Sequence, residues 1–286
     1  MPKYIGIDTG GTLTKIAYLS ADDELQLLAF PSNDLASVKE WICQNTKMNA
    51  IDAIGATGGR TEQLRSVLED IRSIHYIVEF EATLKGVRYL LQKEQTDIED
   101  AIITNVGTGT SIHYMSDEQH IRVGGTGVGG GTLIGLAALT TGIADYKEIN
   151  TLANRGKRHE IDLLVKDIYQ GMDTPISGDL TASNFGKVGI VEQTDFKKED
   201  ILATVQGLVG EVISTLSIQY AQQNNTPNVV YIGSTLSDND HLKYVMAHYT
   251  ELKQHVAIFL DDHGYAGAVG ALLNMIEEHE QAVASV

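Results

Sequence analysis

The sequence predicts an α/β protein made of two copies of one plan, each a mixed sheet flanked by helices, with a cleft between them. Three observations predict it. A strand that runs into a glycine- and threonine-rich turn and then into a second strand occurs at Ile5–Ile16 and again at Ile102–Ile112. Each occurrence opens a run of three consecutive strands followed by alternating helices and strands, and a meander followed by crossovers gives a mixed sheet with helices on its faces. The 286 residues, 43% of them hydrophobic and only 4 of them Pro, suffice for two ordinary domains.

The elements follow in order. Strands are expected at 3–8, 14–20 and 24–30, then a helix at 35–46 with Leu35, Val38, Trp41 and Ile42 as its apolar stripe. A strand at 51–56, a helix at 61–72, a strand at 74–78 and a helix at 81–93 complete the first copy. The join falls near 94–99, which divides the chain into domains at 1–96 and 97–286. The second copy restarts with strands at 100–106, 109–115 and 119–123. A helical region from about 131 to 170 is interrupted at Gly142 and Gly156. The stretch 171–196, with Pro175, Gly178, Gly186 and Gly189, reads as irregular. Together, 131–196 form an insertion. A long helix at 198–223 repeats Ile201, Val205, Leu208, Val212, Leu216 and Tyr220 at helical spacing, with Gly207 and Gly210 allowing a neighbour close. A strand at 228–233, a helix at 239–251, a strand at 256–260 and a helix at 265–278 end the second copy.

A formal net charge of -17 disfavours nucleic acid and anionic membranes as partners. The single cysteine, Cys43, excludes an intrachain disulfide and a multi-cysteine zinc site. With no signal-peptide pattern and no apolar stretch of ~18 residues, a cytoplasmic protein is expected.

The turns carry the chemistry. Asp8 ends an apolar strand, where its carboxylate can enter the cleft and hold Mg²⁺ directly or through water. Gly10 and Gly11 let backbone N–H groups approach a phosphate, Thr12 and Thr14 add hydroxyls, and Lys15 adds charge. A plain glycine hairpin would look similar, but the second turn, Gly107-Thr108-Gly109-Thr110, repeats the pattern. Two such turns facing each other grip a polyphosphate from both sides, which points to nucleotide hydrolysis or phosphoryl transfer. The cluster Gly124–Gly135 formally matches the dinucleotide fingerprint at Gly125, Gly127 and Gly130. It follows a hairpin and lacks the later strand with a ribose-binding acid, so it reads instead as a glycine run opening a helix toward an anion. Gly233-Ser234, at the end of an apolar strand, suits contact with a nucleoside or is an ordinary turn. Walker A, zincin and nucleophile-elbow patterns are absent, and His263 beside Asp261 and Asp262 reads as a solvated loop. Phosphorylating an alcohol needs a proton acceptor. Glu79 and Glu81, after the strand at 74–78, are candidates or helix caps; Asp8 is a rival base. Arg122 can pair with a substrate carboxylate or a phosphate, or make a surface ion pair.

In combination, Gly6–Thr12, Val78-Glu79-Phe80, Asn105–Ser111, Arg122–Gly125, Gly178–Ala182, Tyr231–Ser234 and Gly267–Ala271 resemble the type II pantothenate kinases over essentially the whole chain, and their short bacterial branch most. The resemblance implies duplicated actin-like (ribonuclease H-like) domains with five-stranded mixed sheets. It implies ATP-dependent phosphorylation of the primary hydroxyl of pantothenate to 4'-phosphopantothenate, the first step of coenzyme A biosynthesis, with Mg²⁺, in a homodimer. By resemblance Glu79 is the proton acceptor and Arg122 contacts substrate and transition state. Also by resemblance, Asp8, Thr9, Gly10, Gly11, Thr12, Leu13, Thr14, Lys15, Thr108, Gly130, Gly131, Thr132, Leu133, Ile134, Tyr146 and Ser234 are expected to line the ATP site. Thr181 and Tyr249 match positions that reach pantothenate from the partner subunit, and the helix at 198–223 is the candidate interface. Thr9 departs from the Ala expected in close relatives. A sugar kinase of the same fold and an actin- or chaperone-like ATPase are the rival readings.

Overall fold

The computed structural model describes residues 3–45, 51–96, 98–116, 119–190 and 195–284. Thr46 at the end of the first expected helix, Asp97 in the expected join and residues 191–194 of the expected insertion lie outside them. The first sheet holds β1 (Tyr4–Thr9), β2 (Leu13–Leu19), β3 (Leu25–Pro31), β4 (Ala53–Thr57) and β5 (Ile74–Tyr76) in the order β3-β2-β1-β4-β5. The second holds β6 (Ala101–Val106), β7 (Thr110–Met115), β8 (His120–Thr126), β11 (Asn228–Ile232) and β12 (Val256–Phe259), ordered β12-β11-β6-β7-β8. In each sheet the first three strands pair antiparallel and the crossover strands pair parallel. The two orders are the same topology, so the duplication read from the turns extends to the whole sheet. A short ribbon, β9 (Leu163–Leu164) with β10 (Thr181–Ser183), lies between the second meander and the long helix.

Period-2 alternation sets what each strand offers its two faces. Ile5 and Ile7 of β1 pack with Ile16, Ile54 and the buried residues of α1 (Leu35–Asn45) and α2 (Thr61–Leu68): Val38, Ile42, Leu64 and Leu68. Gly6 and Asp8 therefore face the other way, toward α9 (Ala266–Ala284), whose Ala268 and Leu272 pack with Ala17. A Cβ at Gly6 would stand 2.1 Å from the Ala268 carbonyl oxygen, so the helix rests on the bare strand. This is a correction to the linear division of the chain. The C-terminal helix, expected to finish the second copy, packs on the first sheet because its small residues fit there.

Between the sheets, α3 (Glu79–Lys93) packs Leu84, Val87, Leu90 and Leu91 against Ala101, Ile103, Val230 and Ile232 of the second sheet. It meets α9 through reciprocal close contacts. A Cβ at Gly86 would be 1.9 Å from the Ala266 carbonyl oxygen, and one at Gly270 would be 1.7 Å from that of Ala82. On the outer face of the second sheet lie α4 (Gly130–Thr141), α5 (Tyr146–Ala153), α7 (Lys198–Gln223) and α8 (Asp240–Leu252), with α6 (Val165–Tyr169) in the insertion. Helix α7 is long and apolar enough to cross a membrane, against the expectation that no stretch would be, but most of it is buried within the chain. Its glycines accept their own chain: the Arg158 guanidinium fills the space at Gly207, and Val245 and Leu242 of α8 fill that at Gly210. Leu208, Val212 and Leu216 remain half-buried on its outer side.

Candidate active site

The first turn lies at the C-terminal end of β1. Gly10 N–H donates to the Leu13 carbonyl (3.1 Å), and Ser32 Oγ donates to the Gly10 carbonyl (2.8 Å), pinning the turn to the end of β3. The second turn is held alike: Gly107 N–H donates to Gly109 O (2.9 Å), Gly130 N–H to Gly107 O (2.8 Å) and Gly131 N–H to Thr108 O (2.9 Å). Thus the start of α4 is bonded into the second turn. The two turns face each other: a Cβ at Gly11 would be 3.3 Å from Thr108 Oγ1.

A cavity of about 730 Å³ lies between them. Of the residues predicted for the nucleotide and the chemistry, Asp8, Thr9, Gly10, Gly11, Thr12, Leu13, Lys15, Glu79, Thr108, Gly130, Gly131, Ile134, Tyr146 and Ser234 line it. Gly10 and Gly109 share this one cavity. Tyr146 is fixed by donating to the Thr235 carbonyl and accepting from Asn239 Nδ2 (3.0 Å). Burial raises its pKa.

Other predicted residues lie elsewhere. Thr14 alternates away from Lys15 and is buried, with its Oγ1 3.3 Å from Ser32 Oγ. Thr132 Oγ1 donates to the Gly127 carbonyl (3.0 Å), closing the first turn of α4. Leu133 is fully buried in the core beneath it. Arg122 does not line the cavity. It is exposed on β8 opposite His113 of β7, and Phe80, next to Glu79, packs its ring on His113 at 4.7 Å. Burial first, and Arg122 second, push His113 down to about 4. Thr181 and Tyr249 are brought to each other, not to the cavity. Tyr249 Oη donates to Glu211 Oε1 (2.7 Å) and approaches Thr181 Oγ1 at 3.0 Å, while Thr181 Oγ1 donates to Glu211 Oε1 (2.8 Å). Arg158 pairs with Glu211 and with Asp162 (2.8 Å), completing a half-buried polar network under α7.

Glu79 is the first residue of α3, two residues before the expected helix start, because the expected strand ends early at Tyr76. Val78 is extended and the chain turns directly into the helix. A carboxylate in a first helical turn is favoured by the helix dipole. Asp8 faces Lys15 across the β1–β2 ladder, and a Cβ at Gly267 would be 2.9 Å from Asp8 Oδ2. Desolvation raises Asp8 to about 6; Lys15 opposes the shift and the negative charge of Glu79 adds to it. Lys15 is buried, and desolvation lowers its pKa against the pull of Asp8. The cavity therefore has a carboxylate that a cation would stabilise, beside a second carboxylate at the start of a helix.

Thr9, the departure from the expected Ala, ties the end of β1 to the end of β4 and the start of α2. Its Oγ1 donates to the Thr57 carbonyl (2.9 Å) and lies 3.2 Å from Thr61 Oγ1. Thr57-Gly58-Gly59-Arg60, linking β4 to α2, also lines the cavity through Gly58, Gly59 and Arg60, which sequence reasoning missed. The signal was present: a strand ending in Thr-Gly-Gly, as at Thr9-Gly10-Gly11. Gly58 has φ +95 and lies under the Thr9 carbonyl, so the turn requires glycine there. Asn105, Thr235 and Gly267 also line the cavity. Among the described residues no group of three or more His, Cys, Asp or Glu could hold a metal ion.

The Fumble family profile matches residues 4–274. A type II pantothenate kinase of Bacillus cereus (strain ATCC 10987 / NRS 248) is 48% identical over 275 residues, covering 96% of this chain and 98% of that protein. One of Staphylococcus haemolyticus (strain JCSC1435) is 41% identical over 268 residues, covering 94% and 98%. Among solved structures, the activator of the 2-hydroxyisocaproyl-CoA dehydratase from Clostridium difficile with bound ADPNP superposes with a TM-score of 0.68 at 17% identity, covering 99% of this chain and 97% of that one. That likeness is one of fold, and it agrees with the duplicated actin-like sheets described above. Matched along nearly its full length by the family profile and by relatives of this closeness, the chain belongs to the Fumble family, among the type II pantothenate kinases.

Proposed function

We propose that this enzyme transfers the γ-phosphoryl group of ATP to the primary hydroxyl of pantothenate, giving 4'-phosphopantothenate, the first step of coenzyme A biosynthesis. The observation that carries this reading is the cavity itself. Two amide-rich turns, one from each sheet, share it with Asp8 and Glu79, in a chain 48% identical to a type II pantothenate kinase. The N–H groups of the turns and of the first turn of α4 suit phosphate oxygens. Tyr146, Ser234 and Ile134 suit the nucleoside.

Glu79 is the group we assign to accept the proton of the attacking hydroxyl. Orientation and electrostatic stabilisation supply most of the rate. The donor set fits Mg²⁺: one carboxylate, Asp8, destabilised by its own burial and open to the cavity, is what a nucleotide-bound Mg²⁺ uses alongside phosphate oxygens and water. Asp8 would hold the ion, directly or through water, and the ion would spread the charge of the phosphates. Arg122, near the first turn of α3, is assigned to the acceptor side.

We assign a homodimer, supported by the half-buried Leu208, Val212 and Leu216 on the outer side of α7. In that assembly Thr181 and Tyr249 are assigned to the partner's pantothenate site. The acidic charge disfavours nucleic acid and membrane as partners, and we assign the enzyme to the cytoplasm.

A coupled ADP-release assay with pantothenate, glucose and N-acetylglucosamine tests the reading. Release that depends on pantothenate supports it. Release that depends on a sugar, or on no acceptor at all, refutes it.

A further inference from the structure

The charge of the cavity is unbalanced in a way that singles out one side chain. Its described charged residues are Asp8, Glu79, Lys15 and Arg60. The reactants bring more negative charge: a nucleotide, and an acceptor with a carboxylate. Lys15 is buried and stands opposite Asp8 across the ladder, where the aspartate's charge acts on it without a direct ion pair. Arg60 is the other cation of the cavity and the less buried of the two. Among the described residues it makes no ion pair. The one hydrogen bond of its side chain is from Nε to Gln63 Oε1 at 2.7 Å, which fixes the plane of the guanidinium and leaves the terminal nitrogens for another partner. Its backbone is fixed as well. Thr61 Oγ1 donates to the Gly58 carbonyl (2.8 Å), Thr9 bridges to the same turn, and a Cβ at Gly59 would meet nothing within 4 Å, so the approach is open.

We propose that Arg60 binds an anionic oxygen group of the reactants in the cavity it shares with Glu79, making it a further substrate-contacting residue of this site. The inference rests on the kinase reading above. A guanidinium edge recognises a carboxylate and a phosphoryl group by the same two-pronged hydrogen bonding. Two sources therefore share the chemistry: the carboxylate of pantothenate and the transferring phosphoryl group.

The test uses the full-length enzyme and its Arg60→Gln and Arg60→Lys variants. Each is assayed with pantothenate and with its alcohol analogue, in which a hydroxymethyl group replaces the carboxylate. If Arg60 meets the carboxylate, Arg60→Gln lowers kcat/KM for pantothenate about tenfold or more through KM, and leaves the alcohol analogue within about twofold. If it meets the phosphoryl group, both acceptors lose about tenfold or more through kcat. Arg60→Lys recovers only part of either loss, because an ammonium lacks the fork. The parental melting temperature is expected in both variants, since one exposed hydrogen bond is all that the fold loses. Parental kinetics in Arg60→Gln with both acceptors overturn the proposal while leaving the kinase reading intact. A parent inactive with both acceptors overturns that reading, and the proposal with it.

Discussion

Asp8→Asn is expected to make the metal-free protein more stable while disabling it. The Asp8 carboxyl rises from 3.8 to about 6 on folding, chiefly by desolvation, and this net shift already includes the attraction of Lys15. At 1.36 kcal/mol per pKa unit, the ionised form is disfavoured by about 3 kcal/mol relative to the unfolded chain. Between pH 3.8 and about 6 the folded state holds the proton that the unfolded state has released, so stability falls as the pH rises through this window. Above it the whole penalty is present. Asparagine carries none of it. In EDTA at pH 8 the variant should therefore gain at most about 3 kcal/mol. At an unfolding entropy of roughly 2.1 cal/mol/K per residue, that is about 5 °C in Tm for a chain of this length. At pH 5 the gain should shrink to about half. Differential scanning fluorimetry across the pH range, with urea melts at both ends, measures it. Adding Mg-ATP should raise the Tm of the parent and do little for the variant. A variant less stable than the parent at pH 8, or a gain that does not change with pH, would refute the reasoning.

Four further outcomes are expected. Glu79→Gln should cut turnover by ~10²-fold or more while leaving nucleotide affinity, read by calorimetry, near the parental value; parental turnover would show that the base lies elsewhere. Gly6→Ala should destabilise by more than about 3 kcal/mol in urea unfolding, because its Cβ would stand 2.1 Å from the Ala268 carbonyl oxygen and 2.3 Å from the Leu272 nitrogen, both backbone. Gly59→Ala, with no atom within 4 Å of its Cβ, should change stability by less than about 0.5 kcal/mol. Arg158→Met should lose about 3–5 kcal/mol by the same measurement, since Glu211 and the fully buried Asp162 carboxylate are left without their cation.

Much of the fold could be read from local pattern. The repeated strand–turn–strand unit gave the duplication, and the meander-then-crossover order gave two mixed sheets of one topology. The stripe of Leu35, Val38, Trp41 and Ile42 packs on the first sheet as its spacing predicts. What could not be read depends on contacts between distant parts of the chain. The sequence holds α9 more than 200 residues from β1, and only the fit of Ala268 and Leu272 over Gly6 brings them together. Thr14 stands in sequence among residues that line the cavity, but strand alternation sends it behind the sheet to Ser32. Leu133 fell out of the predicted cavity for a similar reason: helical periodicity turns it inward while Gly130, Gly131 and Ile134 face the cleft. Arg60 was passed over because one Thr-Gly-Gly between a strand and a helix looks ordinary until β4 is seen paired alongside β1.

The glycine contacts between α3 and α9 bear on how the enzyme can move. Main chain meets main chain at Gly86–Ala266 and again at Ala82–Gly270, so neither helix can slide along the other without a collision. Glu79 heads the first of these helices, and Gly267 at the head of the second stands against Asp8. Bare backbone at these glycines thus keeps the heads of the two helices, one carrying Glu79 and the other lying against Asp8, in one register.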